Sequence, residues 1–171
     1  MYRVLIVGDE PRVRRGLRGC VNWRAMDMEV CGEAPNGREA MELVKRLEPD
    51  VVLSDVRMPF MDGIELCRAL NERYPGIQVV LISGYSDLDY LKSALRMGVV
   101  NYILKPVNLQ ELQETLGRIA RRMMDQSARD EERRRLNEKL RESMPLLRER
   151  FCSGSCAARF RTSRRQASAP H

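Results

Sequence analysis

Short apolar runs alternate with amphipathic stretches along the first two thirds of this chain. Runs of strand length fall near residues 3–7, 28–33, 50–54, 77–82 and 100–104. Between them the apolar positions recur with helical spacing near 11–20, 36–47, 63–73 and 87–97, and a long helix is predicted from 108. Five strand-then-helix units imply an α/β fold, a parallel sheet with helices on both faces and right-handed crossovers. Local signals agree with these boundaries. Asn36 before Gly37, Asp87 before Leu88, and Asn108 with Glu111 stand where helix N-caps are expected. Pro49, Pro75 and Pro106 punctuate the joints.

From Leu109 the pattern turns coiled-coil-like. Leu109, Leu112, Leu116, Ile119 and Met123 step by three and four, and the register returns at Leu140, Met144, Leu147 and Phe151. The intervening seam is polar, with Gln126, Asp130, Arg133 and Asn137. Residues 109–123 are therefore expected to pack on the sheet as its final helix. Residues 124–151 are expected to form a helical linker that pairs with a second copy of the chain, its polar seam specifying register at a cost in stability. Pro145 is expected to end or kink that helix. After Phe151 the composition changes abruptly to small, polar and basic residues without an acid, so 152–171 reads as a disordered basic tail.

With 171 residues the chain has room for one ordinary domain and an appendage. The net charge of +6 arises wholly after residue 107. It is read as a solvated helix and a basic end rather than a nucleic-acid surface. No stretch approaches the roughly 18 to 20 apolar residues of a membrane span. Tyr2 to Val7 enters a strand directly with no leader layout, which predicts a soluble, cytoplasmic protein. Cys20, Cys31, Cys67, Cys152 and Cys156 show no paired metal-site spacing and are expected to be reduced thiols.

The candidate chemistry lies where the strands end. Asp9 and Glu10 follow the first strand, Asp55 the third, Ser83 the fourth, and Lys105 the fifth. In a doubly wound sheet these ends converge on one crevice. Taken singly, each has a plainer reading: Asp9 as a helix cap, Ser83 with Gly84 as a turn, Tyr102 as a strand residue, Lys105 as a loop lysine. Together they suit phosphoryl transfer to a carboxylate, which needs a nucleophile, a divalent cation and a fixed positive charge. Magnesium takes oxygen ligands and retains waters, so one or two carboxylates and a backbone carbonyl suffice.

Over residues 1–123 the chain resembles the receiver domain of two-component response regulators. The wording Leu81-Ile82-Ser83-Gly84-Tyr85-Ser86-Asp87, with the long helix after it, is similar to receivers that precede AraC-type DNA-binding domains. The resemblance implies a flavodoxin-like five-stranded sheet of order 2-1-3-4-5 with a long C-terminal helical extension. It implies Asp55 as phosphoacceptor, Asp9 as a magnesium-binding acid, the backbone carbonyl of Arg57 as a further metal ligand, and Lys105 as the phosphate-binding lysine. Ser83 and Tyr102 would be the switch pair, a histidine kinase the partner, and a homodimer the assembly. DNA would be bound only through an output domain, which would take about a hundred more residues than follow Phe151.

Two positions qualify this picture. The family usually has two acids after the first strand, but here the first is Gly8, so weaker magnesium binding is expected. Glu10 is not expected to substitute, because neighbours at a strand end point differently. The second reading is therefore a phosphorylation-independent dimerisation module. A third, an aspartyl-phosphate phosphohydrolase, would need a general acid two residues after the nucleophile, where Arg57 stands, so the chain is expected not to be an enzyme.

Overall fold

The computed structural model describes residues 1–84 and 101–152, with side chains for 1–84 and 101–140. The helix expected at 87–97, the Asp87 cap and the tail beyond Cys152 lie outside the described residues. The chain divides into two compact units, Met1–Met124 and Asp125–His171.

In the first unit, strands β1 (Tyr2–Val7), β2 (Met28–Ala34), β3 (Val51–Asp55), β4 (Gln78–Ser83) and β5 (Asn101–Leu104) form one sheet. Its order is β2-β1-β3-β4-β5, and every pairing is parallel. The described helices are α1 (Pro11–Cys20), α2 (Gly37–Leu47), α3 (Gly63–Arg73) and α4 (Leu109–Cys152), with a short 3-10 turn at Trp23–Met26. This is the expected flavodoxin-like fold.

Strand alternation sorts the apolar residues into two cores. Leu5, Val7, Val52, Val79 and Leu81 face α2 and α3, packing with Val44, Leu66 and Leu70. Val4, Ile6, Leu53, Val80, Ile82 and Ile103 face the other way, with Leu17 of α1 and Leu112, Leu116 and Ile119 of α4. Each fully buried aliphatic side chain stabilises the fold by about 1.5–3 kcal/mol. β3 is central, so all five of its residues are buried, which is why its sequence is a continuous apolar run until Ser54 and Asp55.

The caps hold the helices at the ends of the strands. Asn36 Oδ1 accepts from Glu39 N at 2.9 Å, and Asn108 Oδ1 accepts from Gln110 N at 2.9 Å. Asp62 forms a full capping box on α3, accepting from the backbone of Ile64 and Glu65 while Glu65 accepts from Asp62 N. Replacing Asp62 by Ala leaves these donors unpaired and is expected to cost about 1 kcal/mol. Urea unfolding checks this, with Asp62→Asn expected to recover most of the loss.

Cys67 of α3 is 2% exposed, and burial pushes its thiol up from 9.0 to about 11. Thiolate is the reactive form, so this rise leaves about a hundredfold less of it at pH 8. Peptide mapping after brief iodoacetamide treatment is expected to find exposed Cys20 alkylated and Cys67 protected. Because the folded thiol keeps its proton longer than the unfolded one, its contribution to stability is intact below pH 9.0 and is lost as pH rises towards about 11.

In α4, Leu112, Leu116, Ile119 and Ala120 are buried, and Met123 packs partly against the same core. The helix does not end at Pro145, contrary to one form of the expectation, but continues to Cys152. A proline removes one backbone bond and crowds the preceding turn, yet bonds on either side can still close the helix. In the second unit, residues 125–140 are exposed, among them Leu136 and Leu140, and Glu131 pairs with Arg135 at 3.0 Å. None of the described helices is long and apolar enough to cross a membrane.

Candidate functional site

Asp55 is the last residue of β3 and only 8% exposed. Its position is fixed by β4: it pairs in register with Ile82, and Val56 N donates to Ile82 O at 2.9 Å. Ser54 Oγ donates to Asp55 O at 2.9 Å. The carboxylate therefore sits at the buried, hydrogen-bonded end of a central strand.

Lys105 follows β5 immediately and reaches back to this carboxylate, with Nζ 2.5 Å from Asp55 Oδ2. Its backbone N donates to Ser83 O at 2.7 Å, tying the β5 end to the β4 end. Ser83 is the last residue of β4 and fully buried, and its Oγ has no hydrogen-bond partner among the described residues. A buried hydroxyl normally has one, so this group is ready to bond to something delivered to the crevice.

β1 ends at Val7, and Gly8 N still donates to Ala34 O of β2 at 3.0 Å, so the chain leaves the sheet after residue 8. Asp9 and Glu10 form the turn into α1, and Glu10, not Asp9, is the N-cap residue. Carboxylate oxygens of Asp9, Glu10 and Asp55 lie within 4.8 Å of one another. The Glu10 side chain thus does not point away from the other two acids, as continued strand alternation would have it. β1 ends at Val7 and Asp9 lies in a bend, so the alternation of the strand is broken before Glu10, whose own backbone is extended at φ −87°, ψ 108°.

Three carboxylates this close repel by about 3 kcal/mol per pair at an effective dielectric of about 20. Lys105 offsets part of that for Asp55, and a divalent cation would offset the rest. An all-oxygen donor set of this kind fits magnesium. Arg57, expected to offer its backbone carbonyl, lies in the exposed loop that follows Val56. Phe60 in the same loop is 80% exposed and has φ 69°, a left-handed conformation that a bulky residue seldom adopts. Tyr102 lies on β5 with its neighbour Ile103 buried, and is itself 42% exposed.

The structure thus brings Asp9, Asp55 and Lys105 together, with Ser83 bonded through its carbonyl to Lys105. Tyr102 stands one residue position along β5, on the outside. Sequence reasoning missed Arg14. Its guanidinium donates to the Gly8 carbonyl and pairs with Glu33, Nε to Oε2 at 3.4 Å. The available signal was its place on α1 four residues after Glu10, which sets it on the same helix face.

Comparison with known proteins accords with this geometry. Residues 4–117 match the model of the response regulator receiver domain. The chain is 36% identical over 119 residues to the transcriptional regulatory protein YesN of Bacillus subtilis, covering 70% of this chain and 32% of that protein. It is 32% identical over 131 residues to the transcriptional regulatory protein HptR of Staphylococcus aureus, covering 76% of this chain and 51% of that one. The chain thus spans between a third and a half of the length of these curated relatives. Among solved structures it is similar to the receiver domain of AraT from Geobacillus stearothermophilus, at 36% identity and a TM-score of 0.70 over 74% of this chain and 98% of that one. It is equally similar to a two-component transcriptional regulator AraC from Clostridium phytofermentans, at 37% identity and a TM-score of 0.70 over 75% of this chain and 99% of that one. On the family match and the shared fold together, the chain belongs to the response regulator receiver domain family.

Proposed function

We propose that this chain accepts a phosphoryl group on Asp55 from the phosphohistidine of a partner kinase and acts as the input part of a transcription regulator. The observation that carries the reading is the buried Asp55 with Lys105 at 2.5 Å and two further carboxylates within 4.8 Å. An Asp55 oxygen attacks phosphorus, the phosphorus–nitrogen bond breaks, and the kinase imidazole leaves. Lys105 moves its charge from the carboxylate to the incoming phosphoryl oxygens. A magnesium ion held by Asp9, Asp55 and the Arg57 carbonyl would supply further neutralisation of those oxygens.

The switch follows from new contacts to one added dianion. Ser83 Oγ, buried without a partner among the described residues, gains an acceptor, and exposed Tyr102 turns inward behind it. The β5–α4 face then changes, and with it dimerisation. On this reading residues 1–123 are the receiver, 124–151 a helical linker that pairs between copies, and 152–171 a basic tail. The names of the curated relatives support transcription as the context. Gly8 is the specific observation favouring the second reading, a dimerisation module that works without phosphorylation.

Intact-mass measurement after incubation with acetyl phosphate and magnesium separates the two. Gain of one phosphoryl group is expected. An unchanged mass, under conditions that label a control receiver, would overturn the proposal in favour of the second reading.

A further inference from the structure

We infer that Glu10 is a working carboxylate of the cation site, supplying from the N-cap of α1 the acid that residue 8 lacks. The inference rests on the reading of the site as a magnesium-dependent phosphoacceptor. The first observation is position: a Glu10 oxygen lies within 4.8 Å of oxygens of both Asp9 and Asp55. The second is that Glu10 has no competing task. It stands at a helix N-cap yet makes no side-chain bond to the helix, and no cation pairs with it among the described residues. A capping residue ordinarily gains its stabilisation from that bond. At the start of α1 the helix dipole favours this carboxylate, but its closeness to two others is unfavourable until a cation stands between them.

The third observation concerns the space at residue 8. A Cβ there would meet Asp55 Cβ at 3.7 Å and Arg14 Cγ at 3.9 Å, both ordinary contacts. The glycine is therefore not required by crowding, and an acid at this position would fit. Arg14 holds the Gly8 carbonyl and is itself held by Glu33, so the turn that presents Asp9 and Glu10 is pinned from behind. The cation site consequently keeps three carboxylates, with the third delivered from two residues further along the chain. The buried Ser83 hydroxyl at the end of β4, unpartnered among the described residues, marks the same crevice as one arranged for a ligand.

The test is a direct affinity measurement on the full chain: titration with manganese(II), followed by loss of the free-ion signal in electron paramagnetic resonance. The proteins are the natural chain, Glu10→Gln, Gly8→Asp, the double variant, and Asp9→Asn, each checked for folding by circular dichroism. Glu10→Gln is expected to weaken binding about tenfold in the natural background, the lower end of what a supporting metal-site residue contributes. In the Gly8→Asp background the same change is expected to cost no more than about twofold, because the two acids are redundant. Equal losses in both backgrounds, or no loss in either, would overturn the inference, the former reducing Glu10 to a distant charge. Asp9→Asn keeps the two readings distinguishable. If the natural chain binds manganese and Asp9→Asn does not, while Glu10→Gln is silent, only the role of Glu10 falls; if the natural chain binds none, the magnesium-dependent phosphoacceptor reading falls as well.

Discussion

Asp55→Asn is expected to abolish phosphoryl incorporation from acetyl phosphate while leaving the protein folded. The amide is nearly isosteric with the carboxylate but lacks an anionic oxygen to attack phosphorus. The backbone that positions residue 55 does not depend on its charge: the β3–β4 register and the Val56-to-Ile82 bond remain. Electrostatically two effects oppose each other. Losing the carboxylate removes the attraction to Lys105 at 2.5 Å, but it also removes repulsion from Asp9 and Glu10. Lys105 has a side chain 32% exposed, so once unpaired it is largely rehydrated and little free energy is lost. Intact mass and thermal unfolding, measured together, check both halves. Labelling that persists in the variant would move the acceptor elsewhere, and a collapse of the melting temperature would mean that the variant tests folding rather than chemistry.

The architecture is legible in the sequence because strand burial leaves a direct trace. β3 lies between β1 and β4 and is buried on both faces, so Val51 to Leu53 form an unbroken apolar run. The interior face of α4 is equally plain, since Leu112, Leu116 and Ile119 share one stripe and one core. Side-chain geometry at the strand ends is less accessible. The Lys105–Asp55 contact joins residues 50 apart, a distance that no local spacing encodes. It follows only once the five strands are known to end on one side. The place of the Glu10 carboxylate beside Asp9 and Asp55 is not legible either, because the alternation of a strand stops holding beyond Val7. Pro145 is the reverse case: a local penalty of about 3 kcal/mol does not by itself decide where a long helix ends. Arg14 carries only the weak signal of its spacing from Glu10, because an arginine on an amphipathic helix ordinarily points to solvent.

Gly63→Ala is expected to damage both the fold and the site, more than any other single-methyl change at the described glycines. A Cβ at residue 63 would lie 2.2 Å from the Asp55 carbonyl oxygen and 3.0 Å from both Asp55 C and Val56 Cα. These are backbone atoms of a central strand, so no side chain can rotate away to make room. Relief requires α3 to move outward, which breaks the bond from Gly63 N to Val56 O at 2.9 Å. It also loosens Ile64, Leu66 and Leu70, all of them buried on that helix. Overpacking alone costs about 1–3 kcal/mol, and the broken bond adds about 1 kcal/mol. A total near 3 kcal/mol is a large part of the roughly 5–15 kcal/mol that stabilises a domain of this size. The urea midpoint should therefore fall steeply. Gly117→Ala is the matched control, since a Cβ there meets nothing within 4 Å and the residue lies within α4. That change is expected to stabilise by about 0.5–1 kcal/mol. The strain at residue 63 bears on the strand end that carries the acceptor, so labelling of Asp55 should slow in Gly63→Ala even in the fraction that remains folded. An unchanged midpoint would mean that α3 is not seated against β3 as closely as these distances require.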